Sequence, residues 1–116
     1  MLEGDNVSVR GVHVPSEEKL QKIKAFLQGA VYCWCAIRKR DWFCARDLIG
    51  GVNQDWKGYP LKVLYSRYID AGRDHDYAFK QAAKDAGTIL KRVLFEDHRM
   101  FETKKGHRRF YRWKVQ

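Results

Sequence analysis

Hydrophobic residues recur at three- and four-residue intervals in two long segments of the chain, the spacing of one face of an α-helix. The first segment follows Ser16 and continues to about Arg38, and the second extends from about Asp74 to Phe95. Ser16 and Asp74 are helix-capping residue types, and acidic residues follow both. The pattern therefore predicts two long amphipathic helices. Their expected core positions are Leu20, Ile23, Leu27, Ala30, Val31, Trp34 and Ile37 in the first, and Phe79, Ala83, Ala86, Leu90, Val93 and Leu94 in the second.

Shorter elements are predicted between the two long helices. A strand-like residue or two at Trp42 precedes a short helix over 45–49. Asn, Gly and Pro residues make 53–60 a loop, and a third helix should extend over 61–71 until Gly72 stops it. The residues expected on the buried side of this third helix are Val63, Leu64, Tyr68 and Ile69.

After Phe95 the hydrophobic spacing changes to the two-residue alternation of β-strands. Two strands should turn at 105–107, where Gly106 would supply the positive φ of a tight turn. The predicted fold class is mainly α with a C-terminal β-hairpin. The residues expected on the inward face of the hairpin are Phe101, Thr103, Tyr111, Trp113 and Val115.

Positive charge is concentrated in this hairpin. The chain has 116 residues and a net charge of +9, and its segment from His98 onward has seven Lys or Arg residues against one acid, Glu102. Such a surface favours polyanionic partners, nucleic acid before acidic membranes or acidic proteins. No stretch approaches the roughly 20 apolar residues of a membrane span. We expect no membrane association, no secretory leader and a cytoplasmic protein, associated with the nucleoid if it is bacterial.

The order of helix, short strand, short helix, helices and basic hairpin resembles the winged helix-turn-helix superfamily. The resemblance is strongest over 76–115, where the segments 79–87 and 89–94 look like a helix pair that leads into a wing. It implies a winged-helix domain over 16–116 with its wing at about 99–115, preceded by a tail or edge strand over 1–15. The implied function is double-stranded DNA binding, in transcriptional regulation or as a DNA-handling accessory. Which helix reads the DNA stays open.

Two basic surfaces, adjacent in sequence, would contact the DNA. One is the face of the second long helix opposite its core positions, which would enter a groove of the duplex. The other is the tip of the wing, which would clamp phosphates. The predicted contact residues are Lys80, Lys84, Thr88, Lys91 and Arg92 on the helix, and Lys104, Lys105, His107, Arg108, Arg109 and Arg112 on the wing.

A protein-interaction module is the alternative, with the basic wing docked on an acidic protein partner. In that case the helix face and the wing would form separate basic surfaces, and Trp56 and Tyr59 in the 53–60 loop would be exposed. Whether the chain forms a homodimer is open in either case.

Catalytic and metal-binding chemistry find less support in the sequence. A metal-dependent nuclease would need the acidic and histidine residues of 70–76 or 96–102 in one cleft, but helix capping explains the same residues. Cys33 and Cys35 would project to opposite sides of a helix and, with Cys44, lack zinc-site spacing. We therefore predict reduced, buried thiols, no cofactor and no enzymatic activity.

Overall fold

The computed structural model describes residues 12, 14, 16–49, 56 and 58–114. Its elements in chain order are α1 (Glu17–Ile37), α2 (Ala45–Ile49), α3 (Lys62–Asp70), α4 (His75–Glu96), β1 (Phe101–Lys105) and β2 (Arg109–Trp113). The predicted class, mainly α with a C-terminal antiparallel hairpin, is confirmed. Most of the predicted tail or edge strand over 1–15 lies outside the described residues, but Val12 and Val14 within it pack half-buried against the core. Within the described ranges no helix is long and apolar enough to cross a membrane.

Both long helices begin at the predicted capping residues. The backbone N–H of Lys19 donates to the Ser16 hydroxyl at 3.2 Å, and that of Tyr77 donates to the Asp74 carboxylate at 2.8 Å. These bonds satisfy backbone donors that lack a partner within the first turn of a helix. The second long helix, α4, continues through Gly87 as a single helix, as predicted.

The core lies between α1, α3 and α4. From α1 it takes Ile23, Leu27, Val31 and Cys35, and Ile37 was predicted incorrectly, since it is 76% exposed at the last residue of the helix. The third helix, α3, buries Leu64 but leaves Ile69 exposed. The core residues of α4 are Ala78, Ala82, Ala86, Ile89, Leu90, Val93 and Leu94.

The buried face of α4 is therefore rotated from the predicted one in the first half of the helix. Ala78 and Ala82 are fully buried, whereas Phe79 and Ala83, predicted as core, are half-buried. The reason is that α4 packs against both α1 and α3, so its buried face points between these two neighbours.

The hairpin pairs in the register from Phe101 opposite Trp113 to Lys105 opposite Arg109, which leaves a loop over 106–108. Two details of the prediction were wrong: Thr103 is exposed, and Gly106 does not take a positive φ. A three-residue loop replaces the tight turn for which that φ was expected. Val115 lies outside the described residues.

Phe43 ties the hairpin to the helices. Its backbone N–H donates to the Tyr111 carbonyl at 2.8 Å, and the Tyr111 N–H donates to the Phe43 carbonyl at 2.7 Å. Phe43 thus supplies the strand-like residue predicted between the first two helices, on the free edge of β2. Its buried ring also contacts those of Phe101 and Tyr111, with centroids 6.2 and 5.9 Å away. The position of the hairpin relative to α1 and α2 is fixed by this contact.

Candidate nucleic-acid interface

A groove of about 740 Å³ is bordered by α2, α4 and the hairpin, which is the predicted wing. One side of α4 forms its length, from His75 to Lys91. Because the lining positions recur at three and four residues, they share a single face of the helix over about four turns.

Cations from three separate elements line this groove. The helix α4 provides Lys80, Lys84 and Lys91 beside Thr88, and the wing provides Arg108 and Arg109. The fold thereby brings together parts of the two basic surfaces that the sequence predicted separately. The cations that line the groove are Arg46, Lys80, Lys84, Lys91, Arg108 and Arg109.

Sequence reasoning missed Arg46. The short helix that contains it was predicted with the observed bounds, and Arg46 is exposed on it. A single cation on a five-residue helix forms no sequence pattern that would indicate a binding surface. Only the packing of α2 beside α4 gives it neighbours of the same sign.

The floor of the groove is apolar. Its residues include Ile49 from α2, Phe79, Ala83 and Gly87 from α4, and Tyr111 from β2. Along α4 the polar positions Lys80, Lys84 and Thr88 each follow a floor residue by one position. At Gly87 a Cβ atom would lie 3.9 Å from that of Ala45, so α2 approaches α4 closely there.

Arg92 lies outside the groove lining. Its guanidinium Nε donates to Glu96 at 2.9 Å, and Glu96 also accepts the Lys24 ammonium of α1 at 2.7 Å. The hydrogen bond from Lys24, with help from Arg92, lowers the pKa of Glu96 against the opposing effect of burial. The structure therefore directs this predicted DNA contact toward α1.

The wing cations divide between two faces of the hairpin. Side chains alternate along strands, so Lys105 and Arg109 share the face of Tyr111, whereas Lys104 and Arg112 point to the opposite face. On that outer face both cations lie over the Trp42 ring, with Lys104 at 4.2 Å and Arg112 at 4.6 Å from its centroid.

Two further contacts characterise the wing. Arg112 donates to Glu102 across the strands at 2.8 Å, and this hydrogen bond lowers the pKa of the Glu102 carboxyl. At the tip His107 is exposed and its ring lies 5.7 Å from that of Phe110. Of the predicted wing contacts, only Arg108 and Arg109 line the groove.

Asp74, Glu96, Asp97 and Glu102, four of the carboxylates considered for hydrolytic chemistry, have structural partners. Asp97 is 4% exposed and accepts hydrogen bonds from Gln28 at 2.7 Å and from the Arg99 side chain at 2.9 and 3.0 Å. Burial by itself would raise the pKa of Asp97, but the hydrogen bonds from Arg99 and Gln28 outweigh it and lower the pKa to about 2. His75 bonds to the Tyr65 hydroxyl. Among the described residues no three His, Cys, Asp or Glu side chains are grouped to hold a metal ion.

The cysteines and the loop aromatics differ in part from prediction. All three thiols are free, and Cys35 and Cys44 are buried as expected, but Cys33 is exposed. Burial raises the pKa of the Cys35 thiol. Trp56 is only 4% exposed and donates from its indole N–H to the Ile49 carbonyl at 3.2 Å, whereas Tyr59 is exposed. Trp56 and Tyr59 therefore do not form the exposed aromatic pair that a docking surface on the 53–60 loop would need.

Comparison of the chain with protein-family models, with curated proteins and with solved structures finds no match.

Proposed function

We propose that this chain is a winged-helix protein that binds double-stranded DNA and catalyses no reaction of its own. The observation that carries the proposal is the convergence of cations from α2, α4 and the wing along one groove. A DNA-binding domain needs such a joint surface, because the duplex presents a regular array of phosphates to every element that touches it.

The arrangement of the elements supports the winged-helix part of the proposal. The chain runs from α1 through the Phe43 bridge to α2, α3, α4 and the hairpin. This is the order that the resemblance implies, and the extended residue after α1 pairs with the hairpin that would be the wing. A role in transcriptional regulation or DNA handling, in the compartment that holds the DNA, follows from the same proposal.

In the proposed mechanism the two sides of the groove have different tasks. Arg108 and Arg109, with Lys105 on the same face of the hairpin, would neutralise phosphates. Lys80, Lys84, Thr88 and Lys91 would present donors from a rigid helix toward the backbone or base edges. Lys104, His107 and Arg112 would add to the field of the wing from its outer face and tip, and Arg92 from the far side of α4.

The salt dependence of binding tests this proposal. Fluorescence anisotropy of a labelled random-sequence duplex should report tight binding at about 50 mM salt and a loss of about 10³-fold in affinity by about 200 mM, if some six phosphates are neutralised. The physical reason is that each neutralised phosphate releases condensed counterions. Absence of binding at low salt would overturn the proposal despite the net charge of +9.

A further inference from the structure

The groove has a length suited to a helix. Its α4 side extends from His75 to Lys91, which at 1.5 Å per residue corresponds to about 24 Å along the helix axis. The groove is concave, since α2 and the wing contribute lining residues beside α4. A segment of about four helical turns matches these dimensions.

The floor of the groove favours aliphatic ligand groups. A DNA duplex presents sugars and phosphates on its outside and would leave the half-buried Ala83 without an apolar partner on its open side. Unpaired bases stack on exposed aromatic rings, but Tyr111 is 4% exposed, and the Phe79 ring lies against Trp56 and His75, with centroids 5.3 and 6.4 Å away. Aliphatic side chains need no free ring face and would pack directly on this floor.

The charge on the rim of the groove is the second feature that a ligand must match. Lys84, Lys91 and Arg46, with the two arginines of the hairpin, line the groove beside its apolar floor, against a single carboxylate among the described lining residues, that of Asp76. A ligand that satisfies both features has an apolar stripe flanked by carboxylates.

We propose that the groove binds an amphipathic acidic helix of a protein partner, with aliphatic residues on the floor and Asp or Glu side chains on the rim. This binding does not depend on the DNA-binding proposal. Because both ligands would use the same cations, the helix and the DNA would compete for the groove.

A designed peptide tests the proposal on the full chain. The probe is a fluorescein-labelled helical peptide of about 16 residues with leucines at i, i+3, i+4 and i+7 spacing and glutamates on both flanks. Its control has the same composition in an order that spreads the leucines around the helix. We expect the amphipathic peptide to bind at least about tenfold more tightly than its control, since both carry the same charge and only one has an apolar face. Equal affinity of the two peptides would overturn the proposal.

A floor variant separates this site from DNA binding. Ala83→Gln places a polar side chain on the floor without changing the charge, and its thermal melt checks the fold. It should weaken peptide binding by about tenfold or more and leave duplex binding within about twofold. Lys84→Ala should weaken both, and Lys22→Ala, a cation outside this groove on α1, should change neither.

The outcomes distinguish the two proposals. Peptide binding without duplex binding would overturn the proposed function and support the helix site. Duplex binding with no preference for the amphipathic peptide would support the proposed function and overturn the helix site. An Ala83→Gln protein that folds and keeps its full peptide affinity would also refute the helix site, because the floor would then contribute nothing.

Discussion

Asp97, at the C-terminal end of α4, shows how a single buried charge is accommodated. Its carboxylate accepts the backbone N–H of Arg99 at 2.8 Å as well as the Arg99 guanidinium and the Gln28 amide. The guanidinium in turn lies 4.3 Å from the centroid of the Tyr32 ring. This cluster links the end of α4 to α1 and to the start of the hairpin, so its loss would loosen the base of the wing.

The acid stability of the protein should reflect this cluster. The pKa of Asp97 falls from its ordinary 3.8 to about 2 on folding, so the ionised form stabilises the fold above pH 3.8. That contribution, about 2 kcal/mol, is lost as the pH falls from about 4 through 2. Over this range the unfolded state takes up its proton near pH 3.8, whereas the folded state does so only near pH 2. Chemical denaturation of the wild type and of Asp97→Asn across pH 2 to 7 measures it.

The Asp97→Asn protein should be less stable by about 2 kcal/mol or more at pH 7, because Arg99 loses its counterion. It should also show a smaller loss of stability between about pH 4 and 2 than the wild type. Identical unfolding midpoints at pH 7 would contradict this role for Asp97. Glu17→Gln, an exposed carboxylate in the first turn of α1, is a control for the loss of one negative charge.

At the scale of elements, two glycines should respond in opposite directions to the same substitution. Gly29 is exposed in the middle of α1, and a Cβ atom there would meet nothing within 4 Å. Gly72 follows α3 with a φ of +87°, and its N–H donates to the Ile69 carbonyl at 2.9 Å while the Arg73 N–H donates to Tyr68 at 3.0 Å. This is the hydrogen-bond pattern of a Schellman C-terminal cap.

Gly29→Ala should raise the free energy of unfolding by about 0.5 to 1 kcal/mol, because alanine loses less backbone entropy on forming a helix. Gly72→Ala should lower the free energy of unfolding by about 1 kcal/mol or more, because an L-residue is strained at that φ. Urea titrations of the two variants beside the wild type give both values. A destabilised Gly29→Ala protein would mean that something covers α1 at this position.

The elements themselves were predictable, but the faces they present were only partly so. Local signals such as Ser16, Asp74 and Gly72 act through hydrogen bonds and φ values within a few residues, so helix bounds follow from the sequence. The choice between Ala82 and Ala83 as the buried residue depends on where α1 and α3 lie, and a helical wheel contains no such information. Phe79, which was predicted in the core, lies on the floor of the groove because the positions of α1 and α3 set the buried face of α4.

At the scale of the whole molecule, the position of a cation should matter more than its charge. Replacing Lys105, Arg108 and Arg109 together with alanine should reduce the magnitude of the salt slope for duplex binding by about three, since each phosphate contact contributes about 0.9. Replacing Lys19, Lys22 and Arg67 changes the net charge equally, and these residues line a separate depression between α1 and α3. That control should leave the slope nearly unchanged.

Equal losses in the two triple variants would mean that net charge alone attracts DNA, and that the groove has no special part in binding.

The double variant of Lys104 and Arg112 adds a further comparison. Both lie over Trp42 on the outer face of the hairpin, so we expect a smaller effect from them than from the cations on the groove side. Anisotropy titrations over a range of salt concentrations give the slopes for all three proteins.

The sequence by itself determined the helices, their caps, the hairpin and the concentration of positive charge, because these depend on interactions between near neighbours in the chain or on simple counts. It predicted Lys80, Lys84 and Lys91 on one exposed helix face for the same reason. Tertiary structure decided that Arg46, Arg108 and Arg109 join them, and that an apolar floor lies between the cations. Each of these outcomes depends on segments far apart in sequence, which the fold brings together around the groove.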